Sequence, residues 1–173
     1  MVCNREKYVI IGAGGAGMAA AATIRQHDVT AKITVLSAET DRPYYRPLIP
    51  FLISGEKDSS GMLMEGYGPF ITHGVDILLQ TKVTTIDTHH RIVVLDGGEE
   101  IIYDKLLIAT GSSPILPDSL QIQAAAGVYT LRTLSEARSI AQYSQTSQKG
   151  VLLGGGMLNV KTAFALLSMG LDV

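Results

Sequence analysis

The stretch KYVIIGAGGAG, residues 7–17, decides the fold. Its first half is short, apolar and rich in β-branched residues, a composition that predicts a buried strand. Its second half contains the pattern G-x-G-x-x-G through Gly12, Gly14 and Gly17. The alanine-rich segment that follows predicts a helix ending near Asp28. A strand, a glycine turn and a helix in this order predict the first unit of an α/β fold with a parallel sheet.

Each glycine of the turn meets a separate physical requirement. Gly12 permits the tight turn, Gly14 lets the backbone approach a pyrophosphate, and Gly17 lets the helix pack closely on the strand. A pyrophosphate would accept hydrogen bonds from the exposed amides at the start of the helix. A second predicted strand, Lys32–Leu36, leads to Glu39, whose carboxylate can accept hydrogen bonds from both ribose hydroxyls of an adenosine. We therefore interpret the stretch as a dinucleotide site rather than a glycine-rich surface turn.

The sequence pattern changes twice in the middle of the chain, first at a proline-rich segment and then where the hydrophobic period changes. Three prolines by Pro50 predict an irregular loop over residues 42–50, and residues 66–73 are predicted to form a short helix. The hydrophobic period then becomes two, and Asp96–Gly98 is typical of a hairpin turn. The predicted strands are Val75–Leu79, Val83–Ile86, Arg91–Leu95, Glu100–Tyr103 and Lys105–Ala109.

A weaker copy of the first unit occurs near the end of the sequence. Residues 150–153 predict a strand, 154–156 a turn and 158–169 a helix. Here the pattern is G-x-G-x-x-N, because Asn159 replaces the third glycine, and we expect its side chain to loosen the helix–strand packing or to shift the helix. Between the two units, Thr133 and Glu136 have the spacing of a capping box, which predicts the start of a further helix.

Composition and charge exclude several classes of protein. Hydrophobic residues make up 46% of the chain and charged residues 17%, which excludes a disordered chain and a coiled coil. A net charge of −2 argues against nucleic-acid binding. Cys3 is the single cysteine, so no intrachain disulfide is possible, and the four histidines lack a metal-binding spacing. No apolar run is long enough to cross a membrane, and we expect no metal, no membrane contact and a cytoplasmic location.

The motifs together resemble a known family, the two-dinucleotide-binding flavoprotein reductases of the pyridine nucleotide-disulfide oxidoreductase superfamily. The resemblance covers nearly the whole chain and rests on the unit from Gly12 to Glu39, RPYYRP at 42–47, YDKLLIATG at 103–111 and the turn at Gly154. It implies an α/β fold with a Rossmann-like FAD-binding domain, residues 1–113, that carries an antiparallel β-meander insertion. Residues 114–173 would begin a second Rossmann-like domain, which binds NAD(P).

The resemblance also implies roles for individual residues. The glycine turn would meet the FAD pyrophosphate, Glu39 the adenosine ribose, Arg46 and Pro47 the flavin side of the cofactor, and Val83 the adenine. A solvent-facing arginine and an ordinary core valine are the alternatives for Arg46 and Val83. The implied FAD site consists of Gly12, Ala13, Gly14, Gly15, Ala16, Gly17, Glu39, Arg46, Pro47, Val83, Ala109, Thr110 and Gly111. Gly154 and Gly156 would belong to the NAD(P) site.

Pro47–Pro50 contains no cysteine, whereas the family members that use a thiol carry a redox cysteine in the matching segment. The resemblance is therefore not to the thiol-using members. The R-P-Y-x-R-P pattern instead looks like the rubredoxin- and ferredoxin-reductase branch and the flavoprotein part of assimilatory nitrite reductases. This implies a cytoplasmic, homo-oligomeric enzyme that passes a hydride from NAD(P)H to FAD. Electrons would then go to a small electron-carrier protein or a fused iron-containing module, without a thiol relay. No catalytic residue is identified.

Two alternatives stay open. The family usually has a glutamate where Lys161 stands, and this change together with Asn159 puts nicotinamide binding in question. The first alternative is therefore a non-catalytic FAD- or nucleotide-binding subunit of an electron-transfer complex. The second is a dehydrogenase whose first turn binds NAD. The ATG segment at 109–111 and the second turn argue against this alternative.

The resemblance further implies that the sequence is the N-terminal part of a longer protein. We expect these 173 residues alone to be inactive, to bind FAD weakly or not at all, and to self-associate through an exposed sheet edge.

Overall fold

A computed structural model describes residues 5–64, 74–117 and 125–173 of the chain. The helix predicted over residues 66–73 lies outside these described residues. The chain divides into two compact units, and each of them is made of two segments. The first unit contains Met1–Tyr44 and Leu63–Gly111, and the second contains Tyr45–Met62 and Ser112–Val173.

The first unit is built on a four-stranded parallel sheet. Its elements are β1 (Lys7–Ile11), α1 (Gly15–His27), β2 (Lys32–Leu36), β3 (Val75–Leu78) and β7 (Lys105–Ile108). The strand order is β3-β2-β1-β7, so β1 lies inside the sheet. Helix α1 joins β1 to β2, and the central residues of these two strands are buried because the strands are almost entirely apolar.

A three-stranded antiparallel sheet completes this unit. It consists of β4 (Val83–Asp87), β5 (Ile92–Leu95) and β6 (Glu100–Ile102), paired in chain order. Gly98 has φ of +83° in the hairpin turn between β5 and β6, as its position in the turn predicts. The apolar face of the small sheet shares one core with the parallel sheet, formed by Val9, Ile11, Leu36, Val93, Leu95 and Tyr103.

One strand belongs to a different sheet from the one that its sequence pattern suggests. Residues 75–79 alternate like the three strands after them, yet β3 pairs in parallel with β2, with Ile33 opposite Val75 and Leu36 opposite Leu78. Because β3 is an edge strand, only alternate residues are covered, so its burial pattern resembles that of a two-faced antiparallel strand. Periodicity therefore predicts the strand but does not identify its neighbour in the sheet.

The second unit is mainly helical. It contains 3₁₀ turns at Arg46–Leu48 and Ser60–Met62 and helices α2 (Ile49–Ile53), α3 (Leu134–Ser144) and α4 (Met157–Ser168). The prediction of an irregular loop over residues 42–50 is wrong for its second half. Pro47 and Pro50 each occupy the first turn of a helical segment, where proline loses no hydrogen bond and its fixed φ suits a helix.

The strand predicted at residues 150–153 is not formed. Lys149 and Asp172 make an isolated parallel bridge, in which the Gly150 amide donates to the Asp172 carbonyl at 2.8 Å. Within the described residues, no neighbouring strand continues this ladder past Gly150, and an apolar segment without a partner strand is not held in a sheet.

The α/β fold class with a parallel sheet and an antiparallel insertion is thus confirmed. Among the described residues, every helix is too short or too polar to traverse a lipid bilayer.

Candidate nucleotide-binding site

The first glycine turn is held tightly between β2 and β7. Gly12 has φ of +111°, a conformation that favours glycine, and its amide donates to the Leu36 carbonyl at 2.8 Å. A Cβ atom added to Gly12 would lie 2.3 Å from the Ala109 carbonyl oxygen. The backbone after β7 therefore approaches the turn so closely that no side chain fits at position 12.

Gly17 and Gly15 differ in their surroundings although both lie in the first turn of α1. A Cβ on Gly17 would lie 1.9 Å from the Gly12 carbonyl oxygen, whereas a Cβ on Gly15 would have nothing within 4 Å. Gly17 thus allows the helix to contact the turn, which agrees with the packing role that the sequence predicts.

The start of α1 leaves its first backbone amides available to a ligand. Gly14 is the N-cap residue in an extended conformation, and the helical hydrogen-bond series begins with the Met18 amide donating to the Gly14 carbonyl at 3.0 Å. No side chain caps the helix, and its first turn contains no acidic residue. The amides of Gly15, Ala16 and Gly17 precede this first bond, so the turn fits a diphosphate group that accepts hydrogen bonds.

Glu39 lies beyond the end of β2 and is held by both its backbone and its side chain. The Glu39 carbonyl accepts from the Gln80 amide at 3.0 Å, and its amide donates to the Ser37 hydroxyl at 3.3 Å. The hydroxyl of Tyr44, which is only 4% exposed, donates to a Glu39 carboxylate oxygen at 2.6 Å. The carboxylate is therefore fixed at the edge of the sheet where ligands of open α/β folds bind.

No motif or hydrophobic period in the sequence predicts this contact between Tyr44 and Glu39. The two residues lie in a loop of irregular conformation, so no helical or strand period relates them. The signal that could have found the contact is chemical, because a buried tyrosine hydroxyl needs a hydrogen-bond partner and Glu39 is a nearby carboxylate in the chain.

The ATG segment after β7 lies beside the glycine turn. The Ala109 amide donates to the Ile11 carbonyl at 2.8 Å, which places Ala109 next to Gly12. Thr110 is exposed, and Gly111 has φ of +71°. The structure thus brings Ala109 to the turn that sequence reasoning assigned to the same site.

Val83 has the core surroundings of its alternative interpretation, whereas Arg46 is held by a backbone carbonyl instead of facing solvent. Val83 is half-buried and packs against the shared core of the first unit, next to the Thr81 amide that donates to the Ser37 carbonyl at 2.7 Å. Arg46 and Pro47 belong to the second unit, where the Arg46 guanidinium donates to the Arg132 carbonyl at 2.8 Å. Their roles toward a cofactor stay predictions.

The second glycine turn reproduces the backbone of the first. Gly154 has φ of +104°, and Gly156 is the N-cap of α4 with φ of −69° and ψ of 160°. The Val160 amide donates to the Gly156 carbonyl at 3.0 Å, as Met18 does to Gly14 in the first turn. Instead of loosening this turn, the Asn159 side chain donates to the carbonyls of Leu153 and Gly154 at 2.6 and 3.1 Å.

Outside the glycine turns, the described ionisable groups include an exposed His90–Asp87 pair and a contact of Lys105 with Glu6 and Tyr8. His90 contacts the Asp87 carboxylate at 2.7 Å, and this hydrogen bond raises the pKa of His90. Across residues 5–64, 74–117 and 125–173, no group of three or more histidine, cysteine, aspartate or glutamate side chains could hold a metal ion.

The parallel sheet and its glycine turn define a dinucleotide-binding protein of the Rossmann-like class. The family model described as pyridine nucleotide-disulphide oxidoreductase matches residues 6–173. The chain belongs to this family, whose members bind FAD and depend on NAD(P)H.

Individual relatives indicate the branch of the family. The rubredoxin-NAD(+) reductase of Pseudomonas putida is 32% identical over 94% of this chain and 42% of the relative. The nitrite reductase [NAD(P)H] large subunit of Klebsiella oxytoca is 34% identical over 82% of this chain and 14% of the relative. The crystal structure of NADH:rubredoxin oxidoreductase from Clostridium acetobutylicum is 27% identical, with a TM-score of 0.81 over 98% of this chain and 43% of that structure. The chain thus spans less than half the length of these relatives.

Proposed function

We propose that the protein, at its full natural length, is an FAD-dependent NAD(P)H oxidoreductase that delivers electrons to a small iron-containing carrier protein or to a fused iron-containing module. The observation that carries the proposal is the presence of two glycine turns with the same backbone geometry, at Gly12 and at Gly154. One turn suffices for a simple dehydrogenase, whereas two turns fit one dinucleotide each. Relatives named as rubredoxin and nitrite reductases support the class of acceptor.

The first turn supplies binding and orientation for FAD. The amides at the start of α1 would bind the diphosphate, and Glu39, held by Tyr44, would accept hydrogen bonds from the adenosine ribose. The close approach of Ala109 to Gly12 fixes the wall beside the diphosphate. When bound, FAD supplies the conversion between two-electron transfer from NAD(P)H and one-electron transfer to an iron centre.

The proposed electron transfer does not use a thiol relay. Cys3 is the single cysteine of the chain, and it precedes β1 rather than following Pro47, where thiol-using members carry theirs. Electrons would therefore leave the flavin directly for the acceptor. A homo-oligomeric state and a cytoplasmic location also stay predictions.

A non-catalytic subunit of an electron-transfer complex is the second candidate. Asn159 and Lys161 depart from the family pattern in the segment that would bind NAD(P), and this observation favours a subunit that binds FAD without accepting a hydride.

The decisive experiment mixes the purified full-length protein anaerobically with NADH and, separately, with NADPH. We expect a bound flavin whose oxidised absorbance band disappears within seconds with at least one of the two nucleotides. Addition of dithionite in a parallel sample is the control, because it reduces any accessible flavin without a nucleotide site. A flavin that dithionite bleaches and both nucleotides leave oxidised would establish the non-catalytic subunit, and a protein without flavin would overturn both candidates.

A further inference from the structure

Asn159 occupies in the second turn the position that Gly17 occupies in the first. Gly154 corresponds to Gly12, and Gly156 to Gly14, with closely similar backbone angles in each pair. The third position of the pattern therefore differs in residue type while the turn itself keeps its shape.

The first turn shows why a side chain at this position is difficult to accommodate. A Cβ on Gly17 would lie 1.9 Å from the Gly12 carbonyl oxygen, a separation that no carbon atom can occupy. Because Asn159 has a Cβ, the start of α4 must lie further from the Gly154 carbonyl than α1 lies from Gly12. The close approach to the carbonyl that Gly17 allows in the first turn is therefore not open to Asn159.

The amide group of Asn159 bridges this separation. Its nitrogen donates to the Leu153 carbonyl at 2.6 Å and to the Gly154 carbonyl at 3.1 Å, so one side chain fixes two consecutive peptide groups. The Gly154 carbonyl is the counterpart of the Gly12 carbonyl that contacts the helix in the first turn. An NH₂ group is required for this, because two carbonyl acceptors need a donor with two hydrogens.

We propose that Asn159 is a positioning residue for the nucleotide site of the second turn, where its two hydrogen bonds replace the helix contact that a third glycine provides. The inference rests on the proposed function, since it assumes that this turn binds the diphosphate of NAD(P)H. It implies that the loss of the third glycine is compensated and does not by itself abolish nucleotide binding.

Two substitutions test whether the Asn159 side chain positions the turn or is merely tolerated there. Asn159→Asp keeps the size of the side chain but replaces the donor by a carboxylate facing two carbonyls. Asn159→Ala keeps the Cβ at this position but leaves the Leu153 and Gly154 carbonyls without their donor. Ser168→Ala is the matched control, because it removes a side-chain bond to the Ala165 carbonyl at the far end of α4.

Binding is measured in the full-length protein with NAD⁺ and NADP⁺ by isothermal titration calorimetry. We expect Asn159→Asp to raise the dissociation constant at least tenfold at pH 8 and Asn159→Ala to raise it severalfold, with Ser168→Ala unchanged. Lowering the pH to about 5.5 should recover part of the loss in Asn159→Asp alone, because the protonated carboxyl regains a donor and its pKa is raised by the neighbouring carbonyls. An Asn159→Ala protein that binds as tightly as the wild type would overturn the inference.

Hydrogen exchange in the absence of nucleotide distinguishes this failure from failure of the proposed function. The peptide covering residues 153–158 should exchange at least tenfold faster in Asn159→Ala than in the wild type or in Ser168→Ala. If the wild type binds neither nucleotide, the oxidoreductase proposal loses its second site and the nucleotide part of the inference falls with it. Unchanged exchange would independently refute the claim that Asn159 holds the turn.

Discussion

Gly15 and Gly17 lie two residues apart in α1, and their different surroundings allow a test of the first turn at the residue scale. A methyl group added at position 15 would meet open space, whereas one added at position 17 would lie 1.9 Å from the Gly12 carbonyl oxygen. Both substitutions to alanine have the same intrinsic effect on helix propensity, so the difference between them isolates the close approach.

Gly17→Ala should destabilise the first unit by at least ~2 kcal/mol, because the added methyl group forces α1 away from the turn. Gly15→Ala should leave the unit as stable as the wild type or up to ~1 kcal/mol more stable, since alanine favours a helix over glycine. Urea unfolding of the full-length protein, followed by circular dichroism, measures both. Equal destabilisation by the two variants would show that the close approach of α1 does not limit position 17.

At the scale of elements, the start of α3 is closed by reciprocal hydrogen bonds. The Thr133 hydroxyl accepts from the Glu136 amide at 3.2 Å, while the Glu136 carboxylate accepts from the Thr133 amide at 2.8 Å. This is the capping box that the sequence predicts, and it is confirmed. Burial raises the pKa of Glu136, but hydrogen bonds from Thr130, Thr133 and the Arg132 amide outweigh it, so the net pKa lies below the usual range.

The cap predicts a pH-dependent stability of α3. A lowered pKa in the folded state means that the ionised Glu136 stabilises the protein above the carboxyl range, and that this contribution disappears as the pH falls through the folded-state pKa. Thr133→Ala should cost about 1 kcal/mol at neutral pH. Glu136→Gln should also be less stable at pH 7 and should approach the wild type in acid.

Thermal unfolding of the variants at pH 7 and at about pH 3 provides the measurement. Ser139→Ala serves as the control, because it removes a hydroxyl that bonds to the Ser135 carbonyl within the same helix without touching the cap. A Glu136→Gln protein whose deficit is the same at both pH values would exclude the carboxylate as the source of the stability.

On the scale of the whole molecule, the two turns belong to different units, Gly12 to the first and Gly154 to the second. If each turn binds its own dinucleotide, the two ligands should protect different amides from hydrogen exchange. Adding FAD to the apoprotein should slow exchange over residues 12–18 and 109–111, and adding NADP⁺ or NAD⁺ should slow it over residues 154–160. Protection of the same peptides by both ligands would mean that one turn serves both.

The sequence predicted most of the first unit because its signals are local. A strand, a glycine turn and an alanine-rich helix follow one another directly in residues 7–27. The capping box in the second unit is predicted for the same reason, because it needs only four residues. What it could not predict depends on neighbours distant in the chain. The parallel pairing of β3 is set by β2, and the strand expected at residues 150–153 has no partner strand among the described residues.

The candidate site likewise contains contacts that the sequence predicts and contacts that it does not. The glycine turn and Ala109 lie together as predicted, since the carboxyl ends of neighbouring parallel strands meet at one edge of the sheet. The Tyr44 contact to Glu39 and the Asn159 bridge depend on side-chain geometry in loops and turns, which no period describes. Whether a residue that departs from the family pattern is compensated depends on such contacts.

The position of β1 inside the parallel sheet has a consequence for how the protein is made. This strand is synthesised first, yet one of its two neighbours, β7, is synthesised about a hundred residues later. Until residues 105–108 leave the ribosome, one side of β1 offers free backbone groups to any other extended chain. During this interval the fold itself leaves one side of β1 unpaired, so pairing with other extended chains is a hazard at this strand until β7 is in place.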